Sequence, residues 1–169
     1  MEIRSFLAFE LPVEIKKMIQ GVSDEARRLP LDVRWVHAGN IHLTILFMGN
    51  VLEEQLGPIG AVAGRVCRGY APFNIQLKGT GMFGSRRHPR VLWMGLEGDM
   101  DRMSSLRDGL QKNLKPFGIK EEMRRFRPHL TLGRFRKGAR SGQHLEGFLR
   151  RCGDLTSPAS PLKELVLFR

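Results

Sequence analysis

The chain is 169 residues long and 41% hydrophobic, enough for one domain, or two small lobes sharing a core, and too apolar for a disordered chain. Its 28 basic and 17 acidic residues leave a net charge of +11, a surface that attracts polyanions, of which nucleic acid is the commonest inside cells. The two cysteines, Cys67 and Cys152, have neither metal-ligand spacing nor the density of a disulfide framework, so reduced and inert thiols are expected.

Residues 1–6 lack the features of a signal peptide, and no apolar stretch reaches the roughly eighteen residues that span a bilayer. A soluble, cytoplasmic protein without a membrane partner is expected. Ile3 to Leu11 reads as a strand ending at Pro12, which a first helical turn tolerates. Ile15, Met18, Ile19, Val22 and Ala26 then recur at helical spacing within 13–28. Residues 32–36, with Trp35, form a short strand. The turn Ala38-Gly39-Asn40 leads into an apolar strand from Ile41 that Gly49-Asn50 is expected to close.

Residues 53–66 look helical, with Gly57-Pro58 near the start. Phe73, Ile75 and Leu77 alternate in a half-buried strand over 72–78, and residues 79–89 read as a Gly-rich, basic loop. Residues 91–96, containing Trp93, are the expected antiparallel partner across that loop. Asp99 is placed to cap a helix reaching about Lys115, with Met103, Leu106, Leu110 and Leu114 on one face. Pro116-Phe117-Gly118 stops it, and a basic connection follows to Arg127. Pro128 opens a strand, 141–151 is a weaker helix, 153–161 a loop and 162–168 the last strand.

Two of these strands carry the same signature. Ile41-His42-Leu43-Thr44-Ile45 is matched by Pro128-His129-Leu130-Thr131-Leu132. Five His and four Thr would meet as His-x-Thr only about 0.1 times by chance in a chain of this length. In a strand, residues two apart share a face, so each copy offers one imidazole and one hydroxyl opposite a buried leucine. One copy in each half of the chain suggests a diverged internal duplication in an α+β fold with antiparallel sheets.

Two imidazoles in one site suit metal-free phosphodiester hydrolysis, because a pKa near 6.5 lets one act as base while the other acts as acid. Thr44, Thr131 and a nearby arginine would hold the phosphoryl oxygens. Arg134 lies five residues past His129, on the wrong face by strict alternation, and serves only if the strand twists or bulges near Gly133. No third His or carboxylate adjoins either motif in sequence, so no metal or other cofactor is predicted. His37, His88 and His144 lack a Thr partner and read as surface residues. Trp35, Trp93 and the phenylalanines read as core rather than base-stacking platforms, with an aromatic at the cleft mouth able to do both. The 79–84 segment matches neither a P-loop nor a dinucleotide fingerprint.

With both motifs in view, the chain resembles the 2H phosphoesterases, and within them the RNA 2′,3′-cyclic phosphodiesterases, historically called 2′-5′ RNA ligases. Leu11-Pro12, Trp35, residues 40–49, Gly81-Met82-Phe83, residues 89–93 and residues 126–134 carry the likeness. The resemblance implies a single bilobal, pseudo-symmetric domain over 1–169, with antiparallel sheets lining a central cleft, helices outside and no metal. It implies hydrolysis of RNA 2′,3′-cyclic phosphate ends, tRNA fragments among the candidates, to 2′-phosphomonoesters by a monomer. His42 would be the proton donor and His129 the acceptor, with Thr44, Thr131 and Arg134 on the phosphate. The alternatives are 2′-5′ ligation of tRNA halves by the same residues in reverse, and a basic RNA-binding module without turnover.

Overall fold

A computed structural model describes residues 1–169. The chain runs β1 (Glu2–Phe9), α1 (Val13–Arg27), β2 (Val33–Trp35), β3 (Leu43–Leu52), α2 (Leu56–Cys67), β4 (Phe73–Gly84) and β5 (Pro89–Gly98). It continues with α3 (Met100–Leu114), β6 (Leu130–Phe135), α4 (Gln143–Arg151), β7 (Ser160–Leu162) and β8 (Leu165–Phe168). No helix is long and apolar enough to cross a membrane.

The strands form two antiparallel sheets, ordered β3-β1-β8 and β2-β6-β5-β4-β7. This is the expected α+β class. The two motif strands fall on different sheets, β3 in the first and β6 in the second. The sheets do not follow the halves of the chain, however. From the N-terminal half, β2 joins the second sheet, and β8 returns from the C-terminus to the first.

The helical spacings hold. Ile15, Ile19, Val22 and Ala26 of α1 are buried, as are Met103, Leu106, Leu110 and Leu114 of α3. One continuous apolar cluster joins them to both sheets, through Leu7 and Leu43 of the first and Leu92, Met94, Leu130 and Leu132 of the second. That burial is the main source of stability.

Four local expectations are corrected. The Gly-rich segment 79–84 is strand, continuing β4 in register with β5 to a tight turn at 85–88. Its glycines serve strand packing: a Cβ on Gly81 would lie 2.2 Å from the Trp93 ring, so glycine there lets the indole lie flat on the backbone. Gly49-Asn50 does not close β3, because Gly49 takes φ +73 within the strand and pairing with β1 resumes to Leu52. The predicted strand 162–168 divides at Lys163-Glu164, giving β7 to one sheet and β8 to the other. Asp99 stands at the start of α3 without a side-chain cap, since its carboxylate instead accepts from the Asn74 N–H at 2.7 Å and from Arg102 at 3.0 Å.

Candidate active site

Each motif enters its sheet in the same way. His42 and His129 immediately precede β3 and β6, and the leucines that follow, Leu43 and Leu130, are both fully buried at 0% exposure. Thr44 and Thr131 are partly exposed on the opposite face. The backbone two residues upstream acts on each ring. His129 Nδ1 lies 2.7 Å from the Arg127 carbonyl oxygen, and at His42 the backbone of Asn40, likewise two residues upstream, favours the protonated ring. A carbonyl only accepts, so Nδ1 of His129 carries the proton, leaving Nε2 the free nitrogen of the neutral ring.

Both strands then bulge directly after the threonine. Thr44 pairs with Ala8 and Leu46 with Leu7, which leaves Ile45 as the extra residue. Thr131 pairs with Trp93 and Gly133 with Leu92, which leaves Leu132 as the extra residue. A bulge resets the alternation of faces by one. Leu46 and Gly133 therefore turn to the core side, beside Leu7 and Leu92, and the residue five past each histidine returns to the histidine face. In the first motif that residue is Phe47, and in the second it is Arg134. The Arg134 condition is met by a bulge at Leu132, one residue before Gly133.

Ring contacts agree with this register. On the first sheet Phe6 pairs with both Phe47 and Phe168, so all three share the Thr44 face. Their rings lie 5.9 Å and 5.0 Å from Phe6, and the Phe168 ring is 4.2 Å from His42. On the second sheet Phe83 and Trp93 share the Thr131 face, with Phe83 edge-on to His129 at 4.9 Å and 5.3 Å from Trp93. Expected as core, these aromatics line the motif faces, whereas Phe9, Phe73 and Phe148 are in the core. No hydrogen bond, ion pair or ring contact joins His42 directly to His129.

The two imidazoles differ in their charged neighbours. Glu10, just past the end of β1, brings a carboxylate oxygen to 3.7 Å from His42 Nε2. Burial pushes the His42 pKa below its ordinary value, Glu10 opposes that, and Lys16 adds to it. His129 has no carboxylate partner; Arg127 and Arg134 flank it in sequence, and Arg134 is exposed on its face. No three His, Cys, Asp or Glu side chains converge as a metal-ligand set. Of the other histidines, His37 accepts the Gly39 N–H at 3.2 Å and so closes the turn before His42, while His88 sits in the β4–β5 turn and His144 in α4.

Sequence reasoning missed Glu10 and Phe47. Glu10 is the acid that directly follows the apolar run Phe6-Leu7-Ala8-Phe9, a signal that was present. Phe47 occupies the same position after its motif as Arg134, but its access to the site depends on a bulge that Ile45-Leu46 does not announce.

Comparison with known proteins adds to the geometry. The LigT like Phosphoesterase family profile matches residues 9–93 and 96–169. An RNA 2′,3′-cyclic phosphodiesterase of Methanothermobacter thermautotrophicus is 34% identical over 169 residues, covering 100% of this chain and 90% of that protein. One from Thermotoga maritima is 33% identical over 78% of this chain and 70% of its own length. Among solved structures, a Thermus thermophilus protein superposes with TM-score 0.78 at 26% identity, over 99% of this chain and 88% of that one. The E. coli LigT complex with 3′-AMP gives 0.72 at 26% identity, over 99% and 87%.

Proposed function

The chain belongs to the LigT-like phosphoesterase family, and from its site we propose that it is an RNA 2′,3′-cyclic phosphodiesterase working by two-histidine acid–base catalysis. The observation that carries the reading is the doubled arrangement of His, Thr and a bulge, which presents an imidazole and a hydroxyl on one open face of each sheet. Its relatives from Methanothermobacter and Thermotoga bear the same activity in their names, and the E. coli relative forms a complex with 3′-AMP. We take residues 1–169 as one domain of two lobes, a reading supported by the apolar cluster that runs through both sheets.

The reaction balances without a cofactor. His129, neutral at Nε2, removes a proton from water as the water oxygen attacks phosphorus. The P–O3′ bond breaks, and His42 gives its proton to the departing O3′, leaving a 2′-phosphomonoester and a free 3′-hydroxyl. Thr44 and Thr131 donate to the non-bridging oxygens, and Arg134 neutralises the charge that gathers on them. Each imidazole ends in the other's starting state, and proton exchange with water restores both. Burial lowers the His42 pKa, and Glu10 beside it offsets part of that by favouring the protonated ring that the acid role requires. The phenylalanines around His42 offer apolar faces on which the terminal base can stack.

The test is turnover, in EDTA, of an RNA oligomer ending in a 2′,3′-cyclic phosphate. Conversion to a 2′-phosphate end is expected. RNA binding with no turnover by the wild type would leave a phosphate-binding module instead.

A further inference from the structure

Beside Arg134 the second sheet does something that packing alone disfavours. β2, the outermost strand, pairs with β6 so that Arg34 is the direct cross-strand partner of Arg134. Directly opposed residues share a face, and like charges in that position repel. Both arginines are exposed, and every ion pair of the molecule is made by other residues. The next same-face pair along this ladder shows the ordinary solution, with Asp32 and Arg136 at 3.2 Å. An unneutralised pair of guanidinium groups thus adjoins the Thr131 face, one complementary rung away from a satisfied one.

We propose that Arg34 forms a second phosphate subsite beside Arg134, holding the phosphodiester that links the terminal nucleotide to the rest of the RNA. The proposal rests on the reading of the site given above. Arg134 serves the reacting phosphate, and Arg34 stands one strand further out, about 4.8 Å away, toward the open edge of the sheet. That displacement is on the scale of the step between successive phosphates of a nucleic-acid strand. Guanidinium is suited to bidentate phosphate contacts and keeps its charge throughout. The pair selects for an oligonucleotide, since a cyclic mononucleotide has no second phosphate to offer.

The test compares kcat/KM for a short RNA ending in a 2′,3′-cyclic phosphate with that for a 2′,3′-cyclic mononucleotide, in wild type, Arg34→Ala and Arg34→Lys. The oligomer-to-mononucleotide ratio is expected to fall about tenfold in Arg34→Ala, through KM rather than kcat. Arg34→Lys retains much of it. In parallel, fluorescence anisotropy follows binding of a 2′-phosphate-ended oligomer against salt. The slope of log affinity on log salt should become shallower by about 0.7 in Arg34→Ala, the value for one phosphate contact on a single strand. An unchanged ratio and slope, or an equal loss on both substrates, would overturn the subsite. If wild type turns over neither substrate, the enzyme reading fails instead, and the salt slope still decides the subsite.

Discussion

The two motif strands obey one backbone rule and present two different surfaces. Each carries its imidazole at the entry to the strand, buries the next leucine, exposes a threonine and bulges one residue later. The bulge delivers Phe47 to the face of His42 and Arg134 to the face of His129. The first face is aromatic with one carboxylate, Glu10; the second combines Phe83 and Trp93 with arginine. A repeated geometry can therefore support unequal roles, because the chemistry resides in what the bulge and the neighbouring strands bring to each ring. The core side of the bulge differs too. β3 is an edge strand and buries Leu46, whereas β6 lies between β5 and β2 and carries Gly133, crowded by Val33.

Removing either imidazole tests the shared half of that comparison and should have the largest effect. His42→Ala and His129→Ala should each lower turnover by about 10²–10⁴, the usual contribution of a positioned acid or base, with folding unchanged by circular dichroism. A loss confined to one of them would break the symmetry of the account. Next come the core sides of the bulges. Leu46→Ala, at a site 3% exposed, should cost about 2–5 kcal/mol by leaving a cavity. Gly133→Ala should cost about 1–3 kcal/mol for the opposite reason, because its Cβ would meet Val33 Cγ1 at 2.3 Å. Thermal melts resolve both, at about 2–4 °C per kcal/mol in a chain of this size.

Exchanging what the bulges deliver sharpens the contrast between the faces. Arg134→Ala should reduce kcat/KM by about 10–100-fold, consistent with loss of a charged hydrogen bond worth about 1.5–3 kcal/mol, and flatten the salt dependence. Phe47→Ala should leave the salt dependence alone and weaken discrimination among terminal bases, each stack being worth about 1–3 kcal/mol. The smallest effect belongs to Glu10. Burial already lowers the His42 pKa, and Glu10 opposes that, so Glu10→Gln should lower it further. An acid must be protonated to act, so the basic limb of the kcat/KM profile should move to lower pH. Glu10→Asp should restore part of the shift.

The sequence revealed what repeats and what is local. The His-x-Thr copies, the amphipathic faces of α1 and α3 and the α+β class follow from spacing alone. Arg134 was legible as a condition because Gly133 marks a place where a strand can break step. The matching bulge at Ile45 was not, since two aliphatic core residues carry no such mark, and with it went the placement of Phe47. Residues 79–84 read as loop because glycine usually breaks strands, yet Gly81 is in the strand to make room for Trp93. The division of 162–168 between two sheets, and the pairing of Arg34 with Arg134, depend on partners distant in sequence. No local pattern contains them.

The most direct test of the unequal roles replaces the leaving oxygen. An RNA end whose cyclic phosphate is bridged by sulfur at the 3′ position expels a thiolate, which needs little protonation, while attack by water still needs a base. His42→Ala should regain most of its lost turnover on this substrate, and His129→Ala should not. Rescue of His129→Ala in place of His42→Ala would reverse the assignment of acid and base, and equal rescue of both would contradict the division of roles altogether.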